Sequence, residues 1–229
     1  MPMPLLSDQD RQTVGTHLAS ITTPVTLLLF TQTIGGPETA LVAKQILDEI
    51  ADLNDHISVA EVNFVLERDR AAAYGIDHIP AVAVLRDGED TRIRFLGAPA
   101  GYEFMSLIEA VIAAGTGDSG LSAESRQLIA EHATAPIDIK VFVTPSCPHC
   151  PRVVTLAHRM ALENPNIRAT CVEATEFMDL SRQYRVTGVP KTVINDSIEI
   201  LGAVGESEFV RTVLTLPEPE TAADPAAPE

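Results

Sequence analysis

Short apolar runs alternate along the chain with longer amphipathic stretches, and glycine, proline and short polar residues mark the joins. Val25–Phe30 is a continuous apolar run of the length expected for a strand buried on both faces. Ser7 with Asp10 three residues on resembles a capping box and predicts a helix reaching about Ile21. Pro37 suits a first helical turn and opens a helix to about Ala51. A strand follows at Ser58–Val62, then a short helix at Arg68–Tyr74 stopped near Gly75. Ala81–Leu85 and Thr91–Leu96 read as strands joined through Asp87-Gly88, a hairpin-turn pair, and a helix covers about Tyr102–Ala114. Gly115, Gly117 and Gly120 with Thr116, Asp118 and Ser119 read as a flexible connector.

The same order then returns. Ser122 caps a helix, Ile139–Thr144 is a strand, and a helix runs from Cys147 to about Asn164. Ile167–Val172 is a strand, Phe177–Tyr184 a short helix, and Lys191–Ile194 and Ile198–Leu201 are strands joined by Asn195-Asp196. Glu206–Leu216 is the last helix. Three ordered matches tie the halves together. The run ending at Pro37 answers the run ending at Pro151, Tyr74–Val84 answers Tyr184–Ile194, and Leu96–Phe104 answers Leu201–Phe209; the offsets drift through 114, 110 and 105. Two diverged copies of one unit give this pattern. Each copy reads αβαβαββα, in which the βαβ part demands a parallel crossover and the hairpin is antiparallel. The expected fold is therefore α/β, two tandem units with a mixed central sheet flanked by helices. Unit boundaries fall at 1–117 and 118–216, with a disordered acidic Pro/Ala tail at 217–229.

Composition narrows the partners. Apolar residues make up 45% of the chain, enough for real cores, and net charge is −16. The acidity is shared, with 16 acids against 7 bases in residues 1–117 and 16 against 9 in the remainder. Such a surface repels phosphate backbones and anionic lipids, so neither nucleic acid nor membrane is an expected partner. The start, MPMPLLSDQDRQ, lacks a basic segment followed by an apolar stretch, which argues against a secretory signal and for a cytoplasmic location.

Two of the three cysteines carry the chemistry. Cys147-Pro148-His149-Cys150 lies where a strand gives way to a helix. At a helix start the unpaired N–H groups and the dipole favour thiolate over thiol, lowering a cysteine pKa from ~8.5 to roughly 3.5–7.5. Cys150, one turn further in, is placed to resolve a mixed disulfide on Cys147. His149 has two readings: a group adding positive character beside the Cys147 sulfur, or a solvated surface side chain. A structural zinc site wants four ligands, and neither a second cysteine pair nor a spaced histidine pair is present. A purely structural disulfide closing so short a loop would constrain little of the unfolded chain. Val189-Pro190 opens a strand in the second unit and Ile79-Pro80 does so at the matching place in the first. A proline there is unusual, and a cis bond presenting the residue 189 backbone to a bound chain is one explanation, a trans proline the other.

FVTPSCPHCP, ALENPNIRATCVEATEF and YRVTGVPKTVIND together resemble the two-unit protein disulfide oxidoreductases, a glutaredoxin-like family of tandem thioredoxin folds. The same region is similar to the N-terminal domain of the flavoprotein component of alkyl hydroperoxide reductase. The resemblance spans roughly residues 5–216 and is strongest over 137–202. It implies dithiol–disulfide exchange with protein disulfides, no bound cofactor, and electrons delivered by an upstream flavin-dependent thiol reductase. Carried over, Cys147 is the nucleophile, Cys150 the resolving thiol and Pro190 a cis-proline. The first unit departs from the pattern: Thr33-Ile34-Gly35-Gly36 stands where many relatives have a second CxxC, so that unit is redox-silent, a scaffold or a docking surface.

Other candidates are assigned plainer roles. Cys171 reads as inert core, Glu173 and Glu176 as solvated loop acids rather than proton acceptors near Cys150, and Lys191 as an exposed lysine. Three functional readings follow: a protein disulfide reductase, a dedicated carrier between a flavin reductase and a peroxidase, or a non-catalytic binding module.

Overall fold

The structure, a computed structural model, describes residues 4–32 and 34–217. The tail from residue 218 onward and Thr33 of the silent tetrapeptide therefore lie outside the described residues. The first half runs α1 (Asp8–Leu18), β1 (Val25–Thr31), α2 (Thr39–Ala51), β2 (Ile57–Asn63), α3 (Arg68–Ala73), β3 (Ala81–Arg86), β4 (Glu89–Leu96) and α4 (Glu103–Thr116). The second repeats it as α5 (Ala123–His132), β5 (Ile137–Val143), α6 (Cys150–Glu163), β6 (Ile167–Glu173), α7 (Met178–Gln183), β7 (Lys191–Ile194), β8 (Ile198–Leu201) and α8 (Glu206–Val213). The αβαβαββα order read from the pattern thus appears twice.

Local chemistry sets the ends of these elements. Ser7 and Asp10 close a reciprocal capping box on α1, and the Ser122 hydroxyl accepts from the Ser125 N–H at the start of α5. Both hairpins turn on positive φ, at Asp87 and Gly88 and again at Asn195 and Asp196, the conformation those residue types tolerate best.

The four strands of each half do not form separate sheets. Strand order is β2-β1-β3-β4-β6-β5-β7-β8 in one eight-stranded sheet. The seam is a parallel pair in which Ile93, Arg94, Phe95 and Leu96 of β4 face Ala169, Thr170, Cys171 and Val172 of β6. In each half the first strand pairs its crossover partner in parallel and the hairpin strand antiparallel.

Strands buried on both faces explain the unbroken apolar runs. Leu27 and Leu29 enter the larger core and Leu28 and Phe30 the smaller one; Val141, Val143 and Phe142 divide in the same way. The larger core takes residues from both halves, including Phe95, Leu107 and Val111 with Val153, Ala157 and Met160. It is therefore one body of packed side chains crossing the seam.

The connector is fixed, in contrast to the flexible tether expected from its glycines. Gly117 ends α4 at φ +74°, its N–H bonded to the Ala113 carbonyl at 2.9 Å. Buried Ser119 donates from Oγ to Glu163 Oε2 at 2.5 Å, and Arg126 pairs with Asp118. Among the described residues no helix is long and apolar enough to cross a membrane.

Candidate active site

Cys147 and Cys150 are joined by a disulfide, with Cα atoms 5.5 Å apart. The helix starts later than the sequence suggested: α6 opens at Cys150 with His149 as its N-cap, so Cys147 lies in the preceding turn. That turn is held by the Cys147 N–H donating to the Thr144 carbonyl at 3.1 Å. The sulfur nevertheless lies at the helix start, because it is bonded to the first helical residue. The N-cap side chain makes no bond to the free N–H groups of α6, and Pro151 occupies the first turn, where a missing N–H costs nothing. Cys147 keeps 8% exposure and Cys150 none, so both are buried and the first cysteine is the less shielded of the two. The His149 ring is exposed and caps none of the helix amides.

Val189-Pro190 is cis, and so is Ile79-Pro80 at the matching position of the first half. Pro190 is buried and its carbonyl accepts from the Gly202 N–H at 2.9 Å; Pro80 and Gly97 repeat that bond. The stretch Ile34-Gly35-Gly36 carries no sulfur and lies at the corresponding strand-to-helix junction of the first half.

The first half nonetheless builds part of the site. The Tyr102 N–H donates to the Pro145 carbonyl at 2.9 Å, two residues before Cys147. Gly101, at φ +62°, lets the two segments approach this closely: a Cβ there would sit 2.2 Å from the Pro145 oxygen. The next helix residue, Glu103, is only 2% exposed. Its Oε2 accepts from Ser106 Oγ at 2.6 Å and from the Cys171 thiol at 3.6 Å, while Oε1 is buried without a partner. Burial raises this carboxyl to about 7, so it holds and releases a proton near neutral pH. The sequence pattern does not single out Glu103, because nothing local distinguishes it from an exposed helix-start acid. It is buried because β6 lies against β4.

Several side chains have other surroundings than their types suggested. Glu173 is buried rather than solvated, and Glu176 is half-buried. Buried Glu173 accepts from the Thr175 and Glu176 N–H groups and the Thr175 hydroxyl, and Glu176 Oε1 accepts from the Ala98 N–H at 2.8 Å across the seam. Lys191 is buried rather than exposed; its ammonium donates to the Tyr184 carbonyl at 2.7 Å and pairs with Glu199 at 2.8 Å. Cys171 is core, as its type implied, and burial raises its thiol pKa well above the ordinary value. His158 packs its ring on Phe95, and burial lowers its pKa to about 3, so it stays neutral.

Comparison with known proteins agrees with this geometry. A thioredoxin domain model matches residues 137–215. The N-terminal domain of the alkyl hydroperoxide reductase AhpF from Enterococcus faecalis superposes with a TM-score of 0.85 at 30% identity, over 91% of this chain and 99% of that one. The chain belongs to this tandem thioredoxin-fold family. A protein disulfide oxidoreductase from Aeropyrum pernix is another structural relative, at TM-score 0.83 and 27% identity over 91% of this chain and 92% of its own. Among curated sequences, the corresponding alkyl hydroperoxide reductase component from Escherichia coli is 27% identical over 87% of this chain and 36% of that protein. Its Staphylococcus epidermidis counterpart is 28% identical over 72% and 30%. The chain thus spans about a third of those curated relatives. As a family member it is a thioredoxin-fold disulfide oxidoreductase domain with one close-spaced cysteine pair.

Proposed function

We propose that the chain is a dithiol–disulfide oxidoreductase that reduces protein disulfides through Cys147 and Cys150. The observation that carries this reading is the cysteine pair itself, bonded at the uncapped start of α6 with Cys147 the less shielded of the two. In the reduced enzyme the Cys147 thiolate attacks a client disulfide. A Cys147–client bond forms, the client S–S bond breaks, and the departing client thiolate takes up a proton. The Cys150 thiolate then attacks the Cys147 sulfur, closing the Cys147–Cys150 bond and releasing the second client thiol. Two enzyme thiols are oxidised and one client disulfide is reduced. A flavin-dependent thiol reductase upstream returns the electrons. His149 assists by stabilising the Cys147 thiolate, and Pro190 presents the Val189 backbone to the client. In a reducing cytosol the pair rests as the dithiol.

The relatives favour a second reading of the same chemistry, in which the client is a peroxidase and the chain is a dedicated carrier. In both readings residues 1–117 form a redox-silent unit and 118–216 the active one.

Reduction of a disulfide-bridged model protein, with dithiothreitol as donor, tests the proposal. The wild-type chain accelerates the reaction and Cys147→Ser does not; equal performance by the two would refute it. Cys150→Ser accumulates mixed disulfides with clients whereas Cys147→Ser accumulates none, and equal trapping would reverse the assigned roles.

A further inference from the structure

The sulfur-free half supplies one wall of the surface a client must cross to reach Cys147. Tyr102 is 49% exposed and Met105 47%, and their spacing of three at the start of α4 puts them on one side of that helix. The Tyr102 bond to Pro145 fixes the first turn of α4 against the cysteine loop. Met105 then lines a groove of about 530 Å³ whose opposite wall is α6, through Pro151, Arg152 and Thr155. Pro151 directly follows Cys150, so the α6 wall of the groove begins one residue past the dithiol.

Two arginines and two glutamates line the groove, and Glu206 is held by the Ser122 N–H and the Ser125 hydroxyl, so among the described residues Arg152 is the charge left without a partner. Arg152 is exposed, has no ion pair among the described residues, and lies in the first turn of α6, whose N-terminus also favours anions. Arg159, further along, is neutralised by Glu109 at 3.6 Å. On a chain of net charge −16, this unpaired cation two residues past Cys150 gives the groove a means of selecting by charge.

We propose that Tyr102, Met105 and Arg152 form a docking shelf for the polypeptide flanking a client's disulfide. The flank that fits carries an aliphatic residue followed by an acidic one. This rests on the exchange chemistry proposed above and assigns it a substrate class. Cys147 exposes so little that a client sulfur reaches it only when the adjoining chain lies against the surface around it. The apolar pair covers the aliphatic side chain, and Arg152 meets the carboxylate.

The test uses the full chain, fully reduced, and three peptides each closed by an internal disulfide. After the cysteine they carry Leu-Glu, Gly-Glu or Gly-Lys. The rate of Cys147–Cys150 oxidation with each is divided by the rate with bis(2-hydroxyethyl) disulfide, which has no flanking chain. The Leu-Glu ratio is expected to exceed the Gly-Lys ratio by about tenfold, with Gly-Glu between. Arg152→Glu should reverse the Glu-over-Lys preference, and the pair Tyr102→Ala with Met105→Ala should bring Leu-Glu down to Gly-Glu. Equal ratios for all three peptides with the wild-type chain, or preferences that survive these substitutions, overturn the shelf. Absence of reaction even with the small disulfide overturns the exchange chemistry instead, so the two failures are distinct.

Discussion

Glu103 and Glu208 occupy the same place in the two copies of the LGA segment, yet Glu208 is exposed and Glu103 is buried. The difference comes from what lies next to each hairpin. β8 ends the sheet, whereas β4 is covered by β6. The buried carboxyl has a consequence for stability. Its pKa is raised from 4.5 to about 7 in the folded chain, so between those values the folded state holds a proton that the unfolded state has released. Its contribution is complete below about pH 4.5 and is lost as pH rises through about 7, a change of about 3 kcal/mol. Glu103→Gln should remove that slope. Denaturant unfolding from pH 4.5 to 7.5 should show the difference between wild type and variant widening with pH. Cys147 and Cys150 were legible as residues, since their spacing and their place between strand and helix stand in the sequence. Glu103 was not, because its environment depends on a contact between strands far apart along the chain.

Among the elements, the strands and hairpins were legible within a residue or two. Double-sided burial leaves an unbroken apolar run, and a two-residue turn needs Asn, Asp or Gly at positive φ. The sequence places the start of α6 three residues early, since Pro148 and His149 are as compatible with a turn as with a first helical turn. The connector misleads for a different reason: its glycines serve a helix end and close packing, as at Gly115, where a Cβ would meet Ile21 at 2.5 Å. Gly101 is the element-scale position most open to test. Gly101→Ala places a methyl against the Pro145 carbonyl at a positive φ, and a loss of about 1–3 kcal/mol is expected. If the contact also positions the cysteine loop, the rate of disulfide exchange should fall with it; an unchanged denaturation midpoint would show that the loop yields freely.

For the molecule as a whole, the continuous sheet and shared core predict a single cooperative unfolding transition rather than one per half. Fluorescence and circular dichroism should report coincident midpoints, and two separated transitions would contradict the shared core. Phe95, fully buried on β4 and packed edge-to-face with His158 of α6, links the two halves. Phe95→Ala should cost about 3–5 kcal/mol and keep the transition single. The internal repeat made the duplicated topology legible, but no periodicity in the sequence says that two copies join edge to edge.

The parallel pairing of β4 with β6 also explains why a copy without sulfur would be retained. Cutting the chain at the connector would leave a row of unsatisfied amides and carbonyls on each fragment and strip the cysteine loop of its Tyr102 anchor. Each piece would then tend to stick to its own kind, so the half without a CxxC pair shields the sheet edge on which the cysteine-bearing half depends.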